Sequence, residues 1–197
     1  MKNHEIRATF DRKTITVYQA YGDEIAKKAI ENNSFSSPFS FNRMTWVKPS
    51  FLWMMERSQW GKRRNQNNTL AIKIKREFWE ELLSIAILTD PEDSVYSTGK
   101  DWQNQFNKAK VHIQWDPERS IRGKKLEYRT IQIGISRHLI EEYNKNGIVE
   151  ISDFTPLAKK ILKLKQMGKH KEASKFLPKE ITYPISSIIE KRLGIKR

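Results

Sequence analysis

Alternation between apolar and polar positions is clearest in three stretches of the chain. In 69–75, Leu70, Ile72 and Ile74 share one side while Lys73 and Lys75 share the other, the two-residue period of a strand with one face buried. Tyr128 to Ile135 behaves in the same way, with Ile131, Ile133 and Ile135 opposite Thr130, Gln132 and Gly134. Val111 to Trp115 alternates too, and Asp116-Pro117 is expected to end that strand. Thr14 to Tyr21 is β-branched and aromatic and predicts a further strand; Met44 to Lys48 and Ile148 to Ile151 predict shorter ones. Helical periodicity takes over in 23–32, where Ile25, Ala26, Ala29 and Ile30 form a stripe, and in 76–88. Ser50 is placed to cap a helix running to about Trp60; Phe51 to Met55 is apolar on most faces, so that helix is expected to be buried. Asp101 to Lys108 and the segment after Ser136 predict short helices, and Thr155-Pro156 with Gly168 marks the start and stop of another. Strands and helices interleave too irregularly for a doubly wound parallel sheet. The expectation is an α+β fold with a split, mixed or antiparallel sheet and flanking helices.

Charge changes this picture at the end of the chain. The formal net charge is +14 over 197 residues. After Pro156 stand twelve Lys and Arg against three Glu. Residues 1–155 therefore read as an α+β core and 156–197 as a basic helical extension packed on it or appended to it. A field of this sign attracts polyanions, so nucleic acid is the expected partner. With no cysteine, disulfides, thiolate nucleophiles and cysteine-based metal sites are excluded. The four histidines are scattered, and no metal site is expected. The polar N-terminus lacks a signal-peptide core, and no apolar run approaches the roughly 20 residues of a membrane span. A cytoplasmic protein with no membrane partner is the expectation.

Phosphate loops, dinucleotide-binding glycine fingerprints and nucleophile elbows are absent. Chemistry concentrates instead around Arg43, Thr45, Trp46, Lys48 and Ser50, where two cations, hydroxyls and an indole meet at a strand-to-helix junction. Arg43 and Lys48 suit a phosphate or diphosphate, Trp46 suits a planar ring, and the helix start at Ser50 offers free N–H groups to an anion. The same residues also read as a buried tryptophan and an ordinary helix cap. Gln132 stands on the polar face of the strongest strand, beside Gly134, and suits a ribose hydroxyl or an amide; a solvated strand face is the alternative. Tyr18 and Gln19 offer a phenol and an amide on opposite faces of the first long strand. Asp116 and Glu118 put a carboxylate pair at a strand end, which suits acid/base work, though Asp before Pro is also an ordinary turn starter; with Glu127 they form a metal-binding nuclease set.

The blocks TVYQAY (16–21), RMTWVKPSFLWMMERSQWG (43–61), LAIKI (70–74), VHIQWDPER (111–119), YRTIQIG (128–134) and DFTPLAKKI (153–161) together resemble the family called domain of unknown function four-two-nine-one. The resemblance runs from about Ile6 to Pro184. A more distant similarity, to the ADP-ribosyltransferase superfamily, lies in the order of elements. That superfamily grips NAD in a split sheet, with working residues on a first strand, a second strand and a late strand. By position, the resemblance implies Tyr18 or Gln19 on the first strand, Thr45 on the second and Gln132 on the late one, with Tyr18, Thr45 and Gln132 as the catalytic set. It implies NAD as cofactor, its nicotinamide near Tyr18 and Trp46 and its diphosphate near Arg43 and Lys48. Two departures stand out: TVYQAY holds no Arg or His, and the late position is Gln where Glu is usual. A basic nucleic-acid-binding module without catalysis is the competing expectation.

Overall fold

The computed structural model describes residues 4–195. Its strands are β1 (Arg7–Ala8), β2 (Thr14–Tyr21), β3 (Thr45–Val47), β4 (Asn68–Lys75), β5 (Ile87–Leu88), β6 (Val111–Arg119), β7 (Lys125–Ile135), β8 (Ile148–Asp153) and β9 (Ile181–Thr182). Its α-helices are α1 (Asp23–Asn32), α2 (Phe51–Arg57), α3 (Arg76–Ile85), α4 (Gly99–Lys108), α5 (Ile140–Glu142), α6 (Thr155–Gln166), α7 (His170–Ser174) and α8 (Ser187–Arg192), with a π-helical turn at Tyr143–Gly147. The architecture is α+β with mixed sheets.

Two sheets make the frame. An antiparallel sheet of order β2-β4-β8 lies beside a four-stranded sheet of order β3-β7-β6-β5, in which β5 runs parallel to β6. The sheets meet where Tyr18 pairs with Lys48: the Tyr18 N–H donates to the Lys48 carbonyl at 2.6 Å, and the Lys48 N–H returns a bond at 3.3 Å. Next to that bridge, side chains take over the link. Gln19 Nε2 donates to Thr45 Oγ1 at 2.8 Å and to the Trp46 carbonyl at 3.1 Å. The sheet is therefore split between β2 and β3.

The alternation read in the sequence is realised as two cores. Ile15 and Val17, Leu70, Ile72 and Ile74, Val111, Ile113 and Trp115, and Ile131, Ile133 and Ile135 join the inward face of α3 in one cluster. On the other face of the three-stranded sheet, Tyr18 and Ala71 pack with Phe51, Met54 and Met55 of α2 and with Ala158 and Ile161 of α6. Burial at roughly 25 cal/mol per Å² of apolar surface holds both together. The segment after 156 is part of this packing. β9 pairs with β1, Tyr183, Ile189 and Leu193 are buried in the main core, and Trp115 Nε1 donates to the Leu193 carbonyl at 3.0 Å. Lys196 and Arg197 of the basic run lie outside the described residues.

Two expectations need correction. β6 does not end at Asp116-Pro117 but continues to Arg119, with a register shift between Pro117 and Arg119. A proline tolerates a strand where no ladder N–H is needed, and the irregularity absorbs it. The helix expected after Ser136 is broken into α5 and the π turn, and Ser136 Oγ has no hydrogen-bond partner among the described residues.

Candidate active site

Strand periodicity builds one wall of a cleft. Opposite the isoleucine face of β7, the residues Thr130, Gln132 and Gly134 pair with Asp116, Gln114 and His112 of β6. This face is polar, yet it is not solvated: Thr130, Gln132, His112 and Glu118 are all buried. Buried polar groups need partners, and here only some find one: Thr130 Oγ1 and both ring nitrogens of His112 have none among the described residues, whereas Gln132 and Gln114 meet on Asp116. Gln132 Nε2 donates to Asp116 Oδ2 at 2.7 Å, and Gln114 Nε2 donates to Asp116 Oδ1 at 3.1 Å. Burial raises the Asp116 carboxyl above its usual range, opposed by the Gln132 bond and by Lys48.

Over this wall opens a cleft of about 620 Å³ lined by β2, β3, α2 and the polar face. Pairing of Trp46 with Gly134 lays the indole on the strand; a Cβ on Gly134 would meet Trp46 ring carbons at 2.9 Å and Met44 Sδ at 2.6 Å. On the β2 side, Gln19 is tied to Tyr21, Thr45 and Trp46, while its Oε1 accepts from Tyr143 at 3.0 Å. Tyr21 Oη lies 3.1 Å from Thr45 Oγ1, and burial pushes its phenol up to about 12. Lys48 is 6% exposed, with its ammonium 4.8 Å from the ring centre of Trp53. Burial lowers it from 10.5 to about 8, and the field of Asp116 offsets part of that. No hydrogen bond from Nζ is found among the described residues. Exposed Arg43 and Arg57 also line the cleft.

The sequence matches the family described as Domain of unknown function (DUF4291) over residues 5–183, a span that contains both sheets and the whole cleft. The chain belongs to that family. A comparison with curated proteins finds no match.

In this DUF4291 chain, six of the eight residues singled out in the sequence line the cleft: Gln19, Arg43, Thr45, Trp46, Lys48 and Gln132. Tyr18 and Ser50 do not. Tyr18 is 1% exposed and points into the second core, edge-on to Phe51 at 5.4 Å; alternation along β2 turns its neighbours Gln19 and Tyr21 to the other side. Ser50 is fully buried, and its Oγ caps α2 by accepting from the Trp53 N–H at 3.1 Å. Nor is the start of α2 free for an anion, because Glu180 Oε1 already accepts from the Phe51 N–H at 2.7 Å. Gln132 faces a buried cleft wall and not solvent. The nuclease set is not assembled: Glu127 is exposed, Glu118 is buried, and no group of three metal-ligating side chains occurs among the described residues. Sequence reasoning missed Trp53, Arg57 and Gln114 as cleft residues, did not join Tyr21 to the site, and read Asp116 both as an acid/base or metal-binding candidate and as a turn starter. Gln114 and Asp116 were findable, since both continue the polar face of β6 once the strand is allowed to pass Pro117. Trp53 and Arg57 carry no such signal, because they reach the cleft only through the docking of α2.

Proposed function

We propose that the cleft binds a dinucleotide of the NAD type and that the protein transfers ADP-ribose from it to a polyanionic acceptor, with nucleic acid as the acceptor class. One observation carries this reading: Lys48, 6% exposed, holds its ammonium in a polar cleft with no hydrogen-bond acceptor among the described residues. A cation withdrawn from water is costly unless paired, and a diphosphate would pair it. Arg43 adds a second cation at the rim. The indoles of Trp46 and Trp53 offer planar surfaces for a nicotinamide or adenine ring. The amides of Gln114 and Gln132 suit ribose hydroxyls. The split between β2 and β3 supports the reading, since the resemblance to the superfamily implies NAD held in a split sheet.

Incubation with NAD, with and without DNA or RNA, followed by mass spectrometry, tests the reading. Release of nicotinamide together with an acceptor heavier by one ADP-ribose is expected. Gln132→Ala is expected to lower transfer by about 100-fold or more while leaving the thermal midpoint within a few degrees. Absence of NAD turnover with every acceptor would overturn the assignment. A second reading, a nucleic-acid-binding module without catalysis, is favoured by the exposed run Lys62, Arg63 and Arg64, just before the cleft-lining Gln66. It expects salt-sensitive binding to nucleic acid that is indifferent to NAD.

A further inference from the structure

We infer that Asp116 is the catalytic carboxylate of this cleft and that Gln132 is the residue that positions it. The inference rests on the glycosyl-transfer reading above and goes beyond it by assigning the negative charge. Breaking the bond between ribose C1′ and the nicotinamide nitrogen moves the bonding pair onto that nitrogen, and nicotinamide leaves neutral. The ribosyl group is left as an oxocarbenium ion, which a nearby fixed anion stabilises. An amide carries no charge, so Gln132 alone cannot supply that anion.

Asp116 does carry one, and it lines the same cleft. Each of its oxygens is held by a different amide, Oδ1 by Gln114 at 3.1 Å and Oδ2 by Gln132 at 2.7 Å. Two donors on opposite oxygens fix the plane of the carboxylate while leaving a lone pair on each oxygen for a ligand. Lys48 and Arg129 act on it electrostatically, and the guanidinium of Arg129 is itself held by the Trp115 carbonyl at 2.7 Å. In the second half of the reaction an O–H or N–H group of the acceptor donates its lone pair to C1′, and its proton passes to Asp116 and then to water. The partial burial that favours the protonated carboxyl makes Asp116 a competent acceptor for that proton. The charge that the superfamily resemblance seeks on the late strand thus comes from the neighbouring strand, one cross-strand step away.

The test uses the full chain with NAD, measuring nicotinamide release and, separately, NAD binding by calorimetry. D116N is expected to bind NAD within about threefold of wild type and to lose about 100-fold or more in kcat. D116N/Q132E reverses donor and acceptor across the same 2.7 Å contact and is expected to recover part of that loss. A D116N protein that turns over at half the wild-type rate or more overturns this inference and leaves the glycosyl-transfer reading standing. Wild-type protein that does not turn over NAD overturns both. Failure of the double variant to recover any activity, with its fold intact by circular dichroism, overturns the assignment of Gln132 as the positioning residue.

Discussion

Lys48 shows how one side chain can be costly to the fold and useful to a ligand. Thr45 and Trp46 of β3 line the cleft, Val47 is in the core, and Lys48 just beyond the strand returns to the cleft, with its ammonium against Trp53 and within the field of Asp116. In the folded chain it loses its proton near pH 8, and in the unfolded chain near 10.5. Between those values the unfolded state binds more protons, so this group makes stability rise with pH from about 8 towards 10. Below 8 the folded state carries the full cost of the buried charge, on the order of 2–4 kcal/mol at roughly 1.4 kcal/mol per unit. Lys48→Met is therefore expected to raise stability at pH 7 by on the order of 2 kcal/mol and to abolish the rise above pH 8. Urea denaturation at pH 7, 8 and 9.5 measures both. The same variant is expected to weaken NAD binding by about tenfold or more, since a charge-assisted contact is lost.

At the level of the element, β7 is organised around a residue without a side chain. Gly134 is not in a left-handed conformation, so backbone freedom does not explain it; the indole of Trp46 on the paired strand β3 does. A methyl at this position meets the Trp46 ring and Met44, and the ring has to leave its seat on the strand. Gly134→Ala is expected to cost roughly 1–3 kcal/mol, the usual range for overpacking. It is also expected to change the tryptophan emission and lower NAD affinity, whereas alanine in an exposed strand would be nearly silent. Fluorescence and thermal unfolding of this one variant check the expectation. β6 teaches a related point. Because the strand continues past Pro117, Asp116 becomes a face-sharing neighbour of Gln114 instead of a turn residue.

For the whole molecule, the segment after α7 braces the helix that brings Trp53 and Arg57 to the cleft. After α7 the chain runs back along β1, and Arg7 Nη2 donates to the Glu180 carbonyl at 2.9 Å. The Glu180 carboxylate thereby reaches the start of α2, the helix that carries Trp53 and Arg57 into the cleft. Burial pushes this carboxyl up to about 8, the bond from Phe51 opposes the shift, and nearby Glu118 adds to it. The folded chain holds the proton until about 8 and the unfolded chain releases it at 4.5, so its contribution is present below 4.5 and is lost as pH rises through 8. The contributions of Glu180 and Lys48 together are lowest near pH 8. Glu180→Gln keeps an oxygen for the Phe51 N–H and removes the titration. It is expected to flatten the fall between pH 5 and pH 8, which urea midpoints at those two values measure. No helix among the described residues is long and apolar enough to cross a membrane.

The sequence by itself determined the elements whose residues alternate cleanly. β2, β4, the isoleucine face of β7 and helices α1, α3 and α6 follow from local periodicity and from caps and stops such as Thr155-Pro156 and Gly168. It also marked one stretch of the cleft, because Arg43 to Lys48 is a compact block and Gln132 interrupts an apolar strand. Tertiary structure decided the rest. Two-residue strands such as β1, β5 and β9 have no internal period and exist only through their partners. Which side of β2 meets the cleft, Tyr18 or Gln19 with Tyr21, depends on which of its faces α2 and α6 cover. Ser50 caps α2 as its place in the sequence predicts, but the start of that helix is closed to an anion because Glu180, 130 residues further along, occupies the adjacent Phe51 N–H. Asp116 shares the face of Gln114 by simple alternation, but it entered the site because β6 goes on pairing with β7 past it, and how far a strand pairs is set by its partner.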